Sequence, residues 1–249
     1  MKISSRIVVV ICVVALTAGA IALFTISQKK PEPSVKMAPE ISVGWREDFM
    51  DTVGTGSNIV PKNWKVRGKP GTPVSTFIVK EHGEKGNRIL SAISDNSTGS
   101  LITIANDVNL KETPVMRWRW RALSLPDGGD GRDPEKDDQA IGIYVGDGSL
   151  FNNKSVSYRW DTKTPVSSEG YSTYGMGTVK VKWFTLRNFE DAEKSEWFTE
   201  SVDVLSDIKK AWGRVPEKVY VSITTNSQYT GTRASAEVDW IEFISKPEK

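Results

Sequence analysis

Ten short segments rich in Val, Ile, Thr, Tyr and Trp, each bounded by turn-forming residues, fill most of the sequence between residues 75 and 244. They cover 75–80, 88–92, 99–104, 115–123, 139–145, 155–160, 178–187, 196–204, 218–225 and 234–244. Segments this short, with apolar and polar residues alternating, read as strands with one buried face. Pro70-Gly71, Asp127-Gly128-Gly129-Asp130-Gly131, Asp147-Gly148 and Thr230-Gly231 mark turns between them. Only 206–212, closed by Gly213, has a helical pattern and a helical stop signal. Many strands with no alternating helices predict an all-β fold: a two-sheet antiparallel jelly-roll sandwich over 45–245, with 246–249 as a tail.

The amino-terminal part follows different rules. Residues 7–26 carry no charge and are largely apolar. A helix needs about 20 such residues to cross a bilayer core. A cleaved signal peptide has a shorter apolar stretch and a small-x-small site, and Phe24-Thr25-Ile26-Ser27-Gln28 is a poor one. Residues 1–28 are therefore expected to be an N-terminal transmembrane helix acting as an uncleaved signal anchor, with a cleaved signal as the alternative. Residues 29–44 carry Pro31, Pro33 and Pro39 and read as an extended tether. Basic residues flank the apolar run on both sides, so charge alone orients it weakly. A short basic tail ahead of it favours export. The expectation is a single pass through a bacterial cytoplasmic membrane, with the C-terminal domain in the periplasm or outside the cell.

Charge and cysteine counts narrow the chemistry. Five of the 33 basic residues and two of the 31 acidic ones precede residue 41, so the domain itself is nearly neutral. That argues against a nucleic-acid partner. The single cysteine, Cys12, lies in the apolar run and cannot form an internal disulfide. With His82 as the single histidine, Cys/His zinc sites are excluded and His-based triads have little material. No G-x-S-x-G elbow accompanies His82, which sits in a polar turn.

Strand alternation then sorts side chains by face. In Arg117-Trp118-Arg119-Trp120-Arg121 the two Trp face one way, toward a core, and the three Arg face the other. Ile141, Ile143 and Val145 oppose Asp138, Ala140, Gly142 and Tyr144; Val156, Tyr158 and Trp160 oppose Ser157 and Arg159. If the apolar sets share one core, the polar sets gather Arg119, Arg121, Asp138, Tyr144, Arg159 and Asn226, with Lys180 and Lys182 beside them. Such a surface is either an ordinary solvated face or a groove for a polysaccharide, since Arg holds carboxylate or phosphate bidentately.

Trp118-Arg119-Trp120-Arg121, then Asp137-Asp138 leading into Ile141-Gly142-Ile143-Tyr144-Val145, then Tyr158-Arg159-Trp160, then Arg187-Asn188 followed by Asp191, resemble the ordered motifs of an exported bacterial family. That family is known as a domain of unknown function. The likeness runs from about Phe49 to Phe243. It implies a jelly-roll-like sandwich and an envelope location, and it implies no activity. The Trp-Arg-Trp strand and the C-terminal Val238-Asp239-Trp240-Ile241-Glu242-Phe243 resemble carbohydrate-binding jelly rolls more loosely. From that second resemblance, Glu47 or Asp48 with Asp239 is a candidate structural calcium site, plain strand-end charges being the alternative.

Acidic residues offer two further readings. The loop 127–138 carries Asp127, Asp130, Asp133, Glu135, Asp137 and Asp138 without matching an EF-hand, and reads as a solvated loop or a cation site. Glu237, Asp239 and Glu242 fit the E-x-D-x-x-E spacing of a retaining glucanase, but a regular strand would split them between faces unless a bulge intervenes. Three functions compete. The leading one is non-catalytic glycan binding, with Arg119, Arg121, Asp138, Tyr144 and Arg159 in a groove and Arg187, Asn188 and Asp191 on its rim. The others are an envelope scaffold that binds another protein, and a glycoside hydrolase or lyase.

Overall fold

The computed structural model describes residues 41–56, 59–83, 86–147, 153–193 and 195–246. The expected anchor and most of the expected tether lie outside these residues. No helix among the described residues is long and apolar enough to cross a membrane.

All ten expected strands are present, with ends shifted by at most three residues, and five more join them. In chain order they are β1 (Val43–Glu47), β2 (Thr52–Val53), β3 (Val60–Pro61), β4 (Lys65–Gly68), β5 (Thr76–Glu81), β6 (Arg88–Asp95), β7 (Thr98–Ala105) and β8 (Val115–Ser124). There follow β9 (Gln139–Asp147), β10 (Asn153–Trp160), β11 (Glu169–Tyr174), β12 (Val179–Arg187), β13 (Phe198–Asp203), β14 (Val219–Asn226) and β15 (Arg233–Ile244). The helices are α1 (Phe189–Ala192) and α2 (Val204–Trp212). The expected helix is thus found two residues longer at its start. Asp203 accepts a hydrogen bond from the Ser206 amide at 3.0 Å there, and Gly213 ends the helix at φ 70°.

The strands form two sheets and a small ribbon, β2 against β3. One sheet runs β13-β8-β15-β6-β5. Its long strand β15 pairs β8 along one side, and β6 and then β1 along the other. The second sheet runs β11-β12-β10-β9-β14-β7-β4. It departs from the expected antiparallel pattern at one place, where β10 and β12 are parallel. The chain leaves β10, forms the edge strand β11, and returns as β12 between them.

Between the sheets lies one aromatic core. Trp118 and Trp120 of β8 point inward, as expected, and are fully buried. Their ring centroids are 5.3 Å apart, and Tyr158 and Trp160 from the other sheet meet them at 5.5 Å each. Val204 and Ile208 of α2 close one end of this core. The Tyr158 hydroxyl, inside the sandwich, donates to Asp207 on α2 at 2.9 Å, so the buried phenol has a partner.

Candidate functional site

The polar residues expected to share one surface fall on different sheets. Arg117, Arg119 and Arg121 lie on the outer face of the β15-centred sheet, because β8 pairs with β15 and β13. Tyr144, Arg159 and Asn226 belong to β9, β10 and β14 of the other sheet. The inward Trp residues that separate the two faces make the division unavoidable: one sandwich has two outsides.

On the first outside, the three arginines meet three carboxylates. Arg121 reaches Glu237 at 2.6 Å, Arg119 reaches Asp239 at 2.7 Å and Arg117 reaches Glu242 at 3.4 Å. A bulge between Val238 and Trp240 sets this up. It turns Glu237, Asp239 and Glu242 to one face, as the E-x-D-x-x-E spacing requires. Each carboxylate nevertheless faces a guanidinium. Burial would raise the Glu237 carboxyl, but hydrogen bonds from Lys80 and Arg121 outweigh it and hold the group below its ordinary range. It is kept as a carboxylate. Trp197 covers the Arg119 and Arg121 guanidinium groups, with centroid distances of 5.0 and 4.6 Å. This face is a salt-bridged ladder, not a groove.

On the second outside, Arg159 is fully buried. Its Nη1 donates to Asp137 at 2.7 Å, its Nη2 to the Tyr174 hydroxyl at 2.9 Å, and its Nε to Ser157 at 3.3 Å. The Tyr174 hydroxyl also donates to Asp137. The loop 127–138 folds over this pair. A Cβ on Gly131 would lie 2.9 Å from Asp161 Oδ2 and 3.2 Å from Arg159 Nη1, so only glycine permits that approach. Two of the loop's other acids are paired too: Asp130 with Arg132 at 2.6 Å and Asp133 with Lys136 at 3.2 Å. Asp138 is buried and accepts from the Thr230 amide and hydroxyl and from Asn226. Arg159 and Asp138 therefore support the surface from beneath.

Asp161 is the titrating member of this cluster. Burial pushes its carboxyl up to about 6 from 3.8, against the pull of Arg159 and the Thr164 and Thr185 hydroxyls. Its folded value is raised, so the stability carried by the protonated form is complete below about 3.8 and is lost as pH rises through about 6. Between those values the native chain should lose stability relative to Asp161→Asn. Urea unfolding of both proteins at pH 4 and pH 7 measures it; parallel stabilities at the two pH values refute the assignment.

Above Arg159 an open groove of about 660 Å³ crosses the outer face of the seven-stranded sheet. It runs from Tyr174 on β11 to Arg67 on β4, crossing strand after strand. At ~4.8 Å per strand spacing the sheet spans about 29 Å in that direction. Small residues form the floor: Ser100, Ser155, Ser222 and Thr224. Tyr144, Tyr174, Tyr220 and Tyr229 supply the aromatic surface. The Tyr144 ring lies close over Gly142, where a Cβ would stand 2.8 Å from its Cε2. Gln139 donates to the Tyr144 hydroxyl at 3.1 Å. A bulge where β9 meets β14 brings Gln139 opposite Asn226, and Ala140, expected on the outer face, joins the core instead.

The remaining candidates lie elsewhere. Asn188 caps α1, accepting from the Glu190 amide at 3.1 Å, and Asp191 accepts from the Asn188 amide at 3.3 Å. Arg187 binds Glu200 at 2.7 Å and Asp191 at 3.2 Å and lies over Phe198. This unit joins β12 to β13 across the sandwich edge and does not line the groove. Lys182 shares the face of Phe184, not that of the groove. The carboxyl of Glu47 accepts from the Phe49 amide at 2.7 Å and from Trp64 Nε1 at 2.8 Å, while Asp239 is paired with Arg119. With a guanidinium on one ligand and both oxygens of another engaged, Glu47, Asp48 and Asp239 do not fit a calcium ion. Among the described residues no group of three acidic, His or Cys side chains converges on a metal position. Of the groove residues, sequence pattern had pointed to Tyr144 and Asn226. It missed Arg67, Lys69, Tyr174 and Tyr229, which sit on or beside edge strands and loops with little alternation.

Two sheets around an aromatic core, one outer face locked by ion pairs and the other carrying an open tyrosine-lined groove, define an all-β sandwich domain. A family model described as "Protein of unknown function (DUF3047)" matches residues 62–242, and the chain belongs to that family. No curated protein matches it. Among solved structures, two family 11 carbohydrate-binding modules from Clostridium thermocellum align with 80% and 84% of this chain and 97% and 99% of their own, each at 10% identity, with TM-scores of 0.41 and 0.42. The first holds a β-1,3-1,4-mixed-linked tetrasaccharide. A mannan-recognising carbohydrate-binding module aligns with 84% of this chain and 99% of its own at 14% identity, TM-score 0.33.

Proposed function

We propose that the domain binds an extended glycan, without chemistry, in the groove of the seven-stranded sheet, and that the amino-terminal apolar segment tethers it to the bacterial cytoplasmic membrane on the exported side. The observation that carries this reading is the groove's make-up. It is open and crosses the strands, it has a floor of hydroxyl-bearing residues, and four tyrosines line it. Such a surface offers apolar ring faces to the C–H faces of sugars, with hydrogen-bonding groups between them. Asn226 donates to the Asp137 carbonyl at 2.8 Å and to the Asp138 carboxyl at 2.9 Å, and Gln139 donates to the Tyr144 hydroxyl at 3.1 Å, so these side chains are held in fixed positions beside the tyrosines.

Tyr229, 38% exposed, is the groove aromatic most open to solvent. Affinity electrophoresis of the purified chain across a polysaccharide panel should find a retained ligand, and Tyr229→Ala should weaken that retention about tenfold, the ~1.4 kcal/mol expected of one stacking contact. Arg119→Ala combined with Arg121→Ala should leave retention unchanged, because those side chains lie on the opposite sheet. Retention lost in the arginine variant and kept in the tyrosine variant would move the site to the ladder face; a panel with no retained member refutes glycan binding.

A further inference from the structure

The charge of the groove is one-sided. Among the described residues its charged lining groups are Arg67 and Lys69, and no Asp or Glu lines it. Both are exposed, at the rim formed by the edge strand β4, where Arg67 stands opposite Ser100. Most arginines elsewhere in the domain are neutralised, Arg88 being an exception that donates to the Met50 carbonyl and the Thr52 hydroxyl. Arg46, Arg117, Arg119, Arg121, Arg159 and Arg187 each reach a carboxylate within 3.4 Å. Arg67 makes no ion pair among the described residues. Lys69 rests its ammonium 5.4 Å from the Tyr229 ring centroid and 3.5 Å from Gln228 Oε1, a neutral amide. The domain as a whole is nearly neutral, so this is a local excess of two positive charges placed beside an aromatic platform.

From this we infer that the groove selects an anionic glycan, one whose sugars carry carboxylates, with Arg67 and Lys69 as the selecting residues. This rests on the glycan-binding reading above and names the class of ligand. A guanidinium engages a carboxylate through two parallel N–H···O bonds, and an ammonium serves as a point charge for a neighbouring one. A polymer of uronic acids presents such groups at every sugar. The tyrosines bind the ring faces whatever the charge, and the two cations add the preference. A neutral glycan leaves them solvated and gains nothing from them.

The test compares polyuronates with their uncharged counterparts on the same backbone: polygalacturonate with its methyl ester, and alginate with its carboxyl-reduced form. Isothermal titration of the purified chain should give at least tenfold tighter binding to the acid form of the retained pair, and the advantage should shrink as salt is raised. Arg67→Ala combined with Lys69→Ala should abolish the preference, so that the variant binds the acid form no more tightly than it binds the uncharged one. Both positions are exposed, so an unaltered thermal midpoint verifies that the variant folds. Equal binding of acid and uncharged forms, or an acid preference that survives the double substitution, overturns the inference while leaving glycan binding in place. A phosphodiester-linked teichoic polymer bound in preference to the uronates assigns the cations to phosphate and overturns the carboxylate reading. Failure of every charged and neutral polysaccharide to bind overturns the glycan reading as well.

Discussion

Replacing Arg159 with Met should destabilise the domain by about 3–5 kcal/mol, the effect of removing one member of a buried ion pair. Among the described residues Arg159 is the only buried arginine, and its Asp137 partner is 5% exposed. Without the guanidinium, Asp137 retains hydrogen bonds from Tyr174 and, at 3.4 Å, Ser172, but no positive charge. Its carboxylate must then protonate or draw water in beneath the loop 127–138. The substitution also strips a donor from Tyr174, which lines the groove, so ligand binding should weaken along with the fold. Guanidinium unfolding reads the stability. The double variant Arg159→Met with Asp137→Asn should recover most of the loss, because the unpaired charge goes with its partner. A single-variant loss below ~1 kcal/mol would mean that the pair is not what holds the loop down.

Trp120→Ala should cost a similar amount, about 3–5 kcal/mol, for a different reason. Trp120 is fully buried at the centre of the sandwich, touching Trp118 and Trp160 edge-on, and its indole N–H donates to Glu200 at 3.2 Å. Its loss leaves a cavity walled by large rigid rings from both sheets, which cannot collapse to fill it. Trp197→Ala is the control. That ring is only partly buried and touches the Arg119 and Arg121 guanidinium groups and His82, so about 1 kcal/mol is expected. Comparable losses from the two substitutions would place the main support of the fold on the ladder face and not in the core.

What could be read from the chain follows from where its strands lie. β8, β9, β10, β14 and β15 are interior strands packed on one core, and their alternation announced them. β4 (Lys-Val-Arg-Gly) is exposed throughout, and β11 is polar with Gly and Ser. Both are edge strands, paired on one side only, and neither carries the apolar alternation that marks a strand in sequence. The groove depends on these two edges, so its rim residues were missed while its central Tyr144 was found. Alternation gives the face within a strand but not the sheet to which the strand belongs. Arg119 and Arg159 therefore looked alike in sequence, although one is solvated on the ladder and the other is sealed beneath the groove. Bulges added the rest of the difference: one gathered Glu237, Asp239 and Glu242, and the other turned Ala140 inward.

The position of β15 has a consequence for how the chain is made. It is the last of the described strands to leave the ribosome, yet it lies in the middle of its sheet, bonded to β8 on one side and to β6 and β1 on the other. Until residues 233–244 have emerged, those three neighbours have nothing to join them, and Trp118 and Trp120 have only half a floor to pack against. Contacts of this sequence separation form late and slowly. The first sheet of the nascent domain cannot close before then, so its aromatic strands stay without their full cover for most of the synthesis. A ribosome that stops short of β15 releases a polypeptide in which β1, β6 and β8 each lack their partner.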